Sequence, residues 1–189
     1  MTQRFGESFD AVLEGARGGA GWAFERLFLW LAKPVTAYLR GAGVEDPDGS
    51  ANDVMLRAFR SLERFDGDED RFRSWVFTIA HHLVVDERRR VSRRPRSAPL
   101  ESAGAEPGEP VAAAEALALV TLGDQRVREL LAGLAPDQRD VVLLRVIADL
   151  SIEDTAAALG KRPGAVKALQ HRAMRTLRTR LEAEHHDWA

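Results

Sequence analysis

At 189 residues, the chain can hold one or two small domains. A hydrophobic content of 45%, a charged content of 30% and a net charge of −2 describe a soluble globular protein rather than a disordered tail or a membrane protein. Cysteine is absent, which excludes disulfides, thiolate zinc sites and cysteine nucleophiles and suits a reducing cytosol.

Ser8 to Ala16 reads as a short helix with Phe9, Val12, Leu13 and Ala16 on one face; Gly18, Gly19 and Gly21 break it. Trp22 to Leu39 reads as a longer helix with Phe24, Leu27, Phe28, Leu31, Val35 and Leu39 as its stripe, and Pro34 is placed to kink it. Glu25, Arg26, Lys33 and Pro34 interrupt this apolar stretch, so it is no membrane span, and no signal peptide is read before it. Gly41 to Ser50 is expected to be a loop. Ala51 to Phe65 carries Val54, Met55, Ala58, Leu62 and Phe65 inward, with Asn52, Asp53, Arg57, Arg60 and Glu63 on the other face. An acidic turn over Asp66–Asp70 precedes a helix from Phe72 to about Arg90, with Trp75, Val76, Ile79, Leu83 and Val84 inward. That helix leads into a cluster of Arg88, Arg89, Arg90, Arg93, Arg94 and Arg96.

Between Ser97 and Glu115 there are three prolines, two glycines, four glutamates and no basic residue. A segment so poor in large apolar side chains cannot offset the entropy of ordering and reads as a linker. The predicted organisation is therefore a domain over 5–95, a linker over 96–118 and a second domain over 119–183. No strand pattern of useful length occurs, so the predicted class is all-α: two small helical domains joined by a flexible linker.

The most informative stretch is Ala135 to Leu181. Pro136 opens a helix through Val141, Val142, Leu144 and Ile147. Ser151 opens the next, with Asp154 at the capping-box spacing. Gly160 ends it, because glycine tolerates the left-handed conformation of a tight turn. Pro163 opens a third helix in which Val166, Leu169, Ala173, Leu177 and Leu181 recur every three or four residues. Two short helices, a glycine turn and a longer helix make a helix-turn-helix. From Lys161 to Arg180 there are seven basic residues and no acidic one, the electrostatic footprint of a phosphate-binding surface. With Val166, Leu169, Ala173 and Leu177 inward, Arg162, Ala165, Ala168 and Arg172 recur at three and four residues on another face. Ala165 and Ala168 are small enough to let base edges approach, while Lys167, Arg175 and Arg178 lie to the sides, toward backbone phosphates.

This order of residues resembles the second DNA-binding domain of sigma-70 family initiation factors. Leu134, Pro136, Arg139, Leu144, Arg145, Leu150, Ser151, Ala156, Leu159, Gly160, Gly164, Val166, Lys167, Arg172, Ala173, Leu177 and Arg178 stand in the family's register. Asp154-Thr155-Ala156 replaces the usual Glu-Ile-Ala, and Gln170 stands where a leucine is common. The N-terminal half adds a second resemblance. AFERLFLWLAKPVTAYLR is similar to the family's first conserved helix, and the stretch from Asp46 to Arg90 to its core-polymerase-binding helix, −10 loop and −10 helix. With no domain between the two, the whole is similar to the extracytoplasmic-function (ECF) subfamily.

The resemblance implies that Asn52, Asp53, Met55 and Leu56 meet core RNA polymerase. It implies −10 contacts from Asp68, Arg71, Phe72, Trp75, His82, Arg88, Arg89 and Arg90, although Trp75 is by its spacing a core residue first. It implies −35 contacts from Arg162, Ala165, Lys167, Ala168, His171, Arg172 and Arg175. His82 stands where an asparagine commonly lines the −10 pocket. Partners would be core polymerase, promoter DNA in duplex and melted form, and an anti-sigma factor as a further candidate; no membrane insertion is expected, and the compartment would be the cytoplasm. No cofactor is implied. His82 and Asp86 alone are too few ligands for a metal, and without a glycine-rich phosphate loop or nucleophile elbow no enzyme is expected. The rival reading is a stand-alone helix-turn-helix regulator that binds a palindrome as a dimer without polymerase.

Overall fold

The computed structural model describes residue 5, residues 8–93 and residues 125–186. Every regular element among them is helical. In chain order they are α1 (Phe9–Arg17), α2 (Gly21–Ala42), α3 (Pro47–Arg60), a 3-10 turn (Leu62–Arg64) and α4 (Glu69–Arg93). Residues 125–132 are helical and are termed α5. They are followed by α6 (Pro136–Val146), α7 (Ile152–Leu159) and α8 (Pro163–His186). The predicted linker, 96–118, lies wholly outside the described residues.

Local chemistry sets the helix ends. α2 runs through Pro34 to Ala42, and Gly43 ends it at φ 83°. The expected loop over Gly41–Ser50 is shorter than the composition suggested: α3 starts at Pro47, with the Asp46 carboxylate accepting from the Gly49 N–H. Asp-Pro is itself a helix-start signal, an N-cap followed by a residue with pre-set φ. α4 begins three residues earlier than predicted. Its first turn is held by Asp68, whose carboxylate accepts from the Arg71 N–H at 2.9 Å. The predicted capping box at α7 forms: the Asp154 N–H donates to Ser151 Oγ at 2.9 Å, and that hydroxyl donates to Asp154 Oδ2 at 2.5 Å.

The core of the N-terminal helices is built on Leu27, Leu31, Val35, Tyr38 and Leu39 of α2, Val54, Met55 and Ala58 of α3, and Phe72, Val76, Phe77 and Ala80 of α4. An aromatic group closes its lower end. Phe72 packs against Phe9, Phe65 and Trp75 with ring centroids 5.6, 5.2 and 5.7 Å away. In the C-terminal helices, Val141, Ala156 and Val166 form a buried knot on which Ile152, Leu159 and Leu169 pack. This is the hydrophobic contact that fixes α7 against α8. Leu181, predicted inward, is 40% exposed because α8 continues past the end of the helices it packs on.

The two halves also pack on each other. α6 crosses α2 where Gly41 leaves no side chain: a Cβ there would lie 2.6 Å from Leu143 Cδ2. α7 lies against α4. Leu131, Leu134, Leu143, Leu144 and Leu150 consequently share one continuous buried cluster with the N-terminal helices.

Candidate nucleic-acid and polymerase interfaces

Three groups of predicted site residues sit on three helices. On α3, Asn52, Asp53 and Leu56 are exposed, Leu56 at 45%, and form one ridge. Met55 corrects the expectation. It is 1% exposed, because Val54, Met55 and Ala58 are the inward stripe of α3, so it packs in the core rather than on the exposed ridge. Its place in the stripe marked it as core; only alignment to a family position suggested contact.

Around the start of α4, the predicted −10 residues divide. Phe72 is fully buried, so its ring is a core element and not a stacking platform. Asp68 caps α4. Trp75 is half-buried and stacks on Phe65, with centroids 5.1 Å apart and planes at 27°. It lines a hollow with Arg64, Asp66, Arg71 and Ser74, and Asp154 of α7 lines the same hollow. Arg71 is exposed at the rim. This assembly offers an aromatic edge, two guanidinium groups and two carboxylates, which together present the ring face, cations and polar edges that an unstacked base and its strand require. His82 is exposed on α4, while its neighbour His81 is buried and shares a 3.1 Å hydrogen bond through Nδ1 with the Tyr38 hydroxyl. Burial is the chief force on both: it holds His81 below its ordinary pKa and raises that of Tyr38.

Further along α4, Arg89 and Arg90 are exposed, but Arg88 is engaged. Its guanidinium donates two bonds, at 2.8 and 2.9 Å, to the two carboxylate oxygens of Asp140 on α6. Burial works against the Arg88 charge, but the hydrogen bond and the charge of Asp140 outweigh it, so its pKa is raised. Asp140 is only 4% exposed. Spacing alone does not announce this pair, because Asp140 reads in sequence as an ordinary surface acid. A buried cation, Arg73, lies 4.8 Å over the Trp30 ring. Burial lowers its pKa, and Asp149, in the turn between α6 and α7, pushes it back up.

On α8 the arrangement follows the spacing. Val166 and Ala173 are fully buried, while Ala165, Lys167, Ala168, His171, Arg172, Arg175 and Arg178 are exposed. Arg162, also exposed, precedes the helix, and its carbonyl accepts from the N–H groups of Ala165 and Val166. Lys161 is spent elsewhere: its ammonium donates to Asp137 Oδ2 at 2.8 Å, tying the turn after α7 to the start of α6. Arg139, another family-register residue, is structural here. Its guanidinium donates to the carbonyls of Leu131 and Ala132 and so caps the end of α5. Among the described residues, no group of acidic or histidine side chains could hold a metal ion, and no helix is long and apolar enough to cross a membrane.

Comparisons with known proteins reach both halves of the chain. The model of sigma-70 region 2 matches residues 31–94, which hold α3, α4 and most of α2. The model of sigma-70 region 4 matches residues 124–177, which hold the helix-turn-helix. The ECF RNA polymerase sigma factor SigD of Mycobacterium tuberculosis is 33% identical, over 97% of this chain and 88% of its own. The ECF sigma factor BldN of Streptomyces coelicolor is 32% identical, over 88% of this chain and 63% of its own. In fold, the chain is similar to CnrH in complex with the cytosolic domain of CnrY, with a TM-score of 0.69 at 24% identity over 94% of this chain and 99% of that one. It is similar also to RpoE of Bartonella quintana bound to the anti-sigma factor NepR, with a TM-score of 0.65 at 21% identity over 84% and 96%. The region models and the near full-length likeness to SigD place this chain in the ECF subfamily of sigma-70 RNA polymerase sigma factors.

Proposed function

We propose that this transcription initiation factor docks on core RNA polymerase through the Asn52, Asp53 and Leu56 ridge of α3. The exposed part of the α4 region would then hold melted −10 DNA, and α8 would read the −35 duplex. The single observation that carries the DNA assignment is the face of α8: small at Ala165 and Ala168, basic at Arg162, Lys167, Arg172 and Arg175, and exposed beside a buried Val166 and Ala173. A helix enters a major groove only where its side chains leave room, and it stays there by neutralising phosphates.

The roles follow from position. Arg162 and Arg172 flank the alanines and reach guanine edges or phosphates, and His171 stands beside them. Lys167, Arg175 and Arg178 take backbone phosphates on either side. At the −10 end, Arg71 and Trp75 hold an extruded base and its strand, His82 contributes a ring edge further along α4, and Arg89 and Arg90 take the duplex phosphates upstream. The factor contributes recognition and no bond-making step, so it is not itself an enzyme, and it works in the cytoplasm where polymerase and promoter are. The domains would run 5–95 and 119–183, with 96–118 as the tether that lets them separate. An anti-sigma factor is a candidate third partner, since the solved CnrH and RpoE chains are similar in fold.

The test is reconstitution. The chain is mixed with core polymerase and assayed by run-off transcription on a promoter library. Asp53→Arg is expected to weaken core binding by about 2–5 kcal/mol if that carboxylate is a buried interfacial contact. A chain that binds DNA as a dimer and starts no transcription with core would instead be the stand-alone regulator.

A further inference from the structure

The turn that shapes the hollow of Arg71 and Trp75 is tied on both sides to the start of the chain. Before the turn, the guanidinium of Arg17, the last residue of α1, donates to the Phe65 carbonyl. After it, the Phe5 N–H donates to Glu69 Oε1 at 2.9 Å. Both donors are themselves anchored. The Phe5 ring packs on Phe9 and Trp30, with centroids 5.9 and 5.2 Å away. Phe9, Val12, Leu13 and Ala16 bury one face of α1. Both donors precede residues 31–94, the span matched by the region 2 model.

The turn has little room of its own. Gly67 sits at φ 154°, and a Cβ there would lie 2.8 Å from Arg71 Cβ and 3.2 Å from the Phe65 ring. Phe65 in turn stacks on Trp75, with planes at 27°. A shift of the Phe65 backbone therefore moves the ring against Trp75 and presses Gly67 on Arg71. A turn carbonyl facing water can tilt freely, whereas a guanidinium held by a packed helix fixes its direction through a charge-assisted bond. The second contact of Arg17, to Glu14 at 3.5 Å, is an exposed pair that adds little.

We propose that Arg17 is a positioning residue for −10 recognition. With Phe5 it holds the 65–69 turn, and so the Phe65–Trp75 stack and Arg71, in the shape that selects an extruded base. Arg17 acts through the turn and not on DNA. This rests on the −10 role proposed for Arg71 and Trp75; its new content is that base selectivity is set from α1.

Arg17→Met keeps the length of the side chain and removes its donors, Arg17→Lys keeps a charged donor, and Glu14→Gln weakens only the exposed pair. Hydrogen exchange of amides 66–71 in the free full-length chain reports the turn without DNA. Holoenzyme made with core polymerase is then presented with a randomised pool of single strands and, separately, a randomised pool of duplexes. In Arg17→Met, exchange over 66–71 should rise about tenfold, as expected for the loss of one hydrogen bond from a charged group. Selectivity among single strands should fall roughly five- to tenfold, by the same loss, while selectivity among duplexes, read by α8, stays unchanged. Arg17→Lys should recover most of both effects, and Glu14→Gln should match the parent. Exchange that stays at the parent level overturns the proposal. So does faster exchange with selectivity intact, and so does a loss shared by the duplex pool. If Arg17→Met lowers Tm by more than about 8 °C, the scale of a general loss of packing, Glu69→Ala decides instead. It severs the other tie and should show the same loss confined to single strands; its absence overturns the proposal. A parent that enriches no single strand removes the −10 reading and this inference together. A parent that does so, with an Arg17→Met holoenzyme that matches it, removes this inference alone.

Discussion

Phe72 and Trp75 stand three residues apart on α4, the first fully buried and the second half-buried. Phe72 is wholly enclosed by Phe9, Phe65, Trp30 and Trp75, at centroid distances from 5.2 to 6.2 Å. Truncating such a ring to alanine costs about 3–5 kcal/mol and would confound any functional assay. Phe72→Leu keeps most of the volume and loses the edge and tilted ring contacts, each worth about 0.5–1.5 kcal/mol beyond area. Since leucine recovers part of this by repacking, the net cost should be about 1–2 kcal/mol. For a chain of this length, that lowers Tm by roughly 2–8 °C. Trp75→Ala removes a half-buried ring from the hollow proposed to hold −10 DNA, and a stacked base is worth about 1–3 kcal/mol. Open-complex formation should therefore fall roughly five- to 150-fold for Trp75→Ala and stay near normal for Phe72→Leu. The assay is a base-analogue fluorescence signal from the melted segment, read with holoenzyme well below either Tm. If Phe72→Leu abolishes opening at an unchanged Tm, the ring contacts DNA and the buried assignment is wrong.

On α8, Arg172→Ala should weaken −35-dependent initiation by roughly 1–3 kcal/mol and relax discrimination at one position. Arg178→Ala should weaken binding equally on all sequences and reduce the salt slope by about one; equal discrimination losses in both would move the reading face. Gly160 sits at φ 60° with open space around it, so Gly160→Ala meets no clash and still loses about 1 kcal/mol to backbone strain, measurable by urea unfolding. An unchanged midpoint would mean the turn adopts another conformation. His81 is the acid-sensitive group. Burial holds its folded pKa below 6.5, so the unfolded chain binds its proton first, and Tyr38, Asp140, Arg88, His82 and Asp137 surround it. Stability should be full above pH 6.5 and decline as the pH falls toward the depressed value; His81→Gln should flatten that slope, and a slope that survives the substitution points to a carboxylate instead.

Much of this was readable in advance where the signal is local. The caps at Ser151 and Gly160, the Val166–Ala173 stripe and the charge run of α8 are each written within a few residues, and each stands as the spacing predicts. Asp46-Pro47 is an equally local signal, but the glycines and acids around it carry the composition of a loop. Met55 and Phe72 show where a family position and a periodic stripe compete: the stripe reports burial directly, and burial decided both. Arg88 is a different case. Its partner lies 52 residues away on another helix, and no property of either neighbourhood announces the pair. Tertiary ion pairs are legible only when the helices have been brought together.

That separation orders events during synthesis. Arg88 leaves the ribosome before Asp140, and at about 5–20 residues per second the interval is roughly 3–10 s. Helices α1 to α4 make their contacts with one another and have time to fold in that interval. A nascent chain therefore presents Gly41 and Arg88 without the partners that later cover them. For those seconds, the half-made protein is chemically a different molecule from the finished one: its α4 basic run is open to any polyanion nearby, nucleic acid included. Translation speed between residues 88 and 140 becomes a variable in its own right, and synonymous changes that slow it would lengthen the exposure without altering one atom of the final fold.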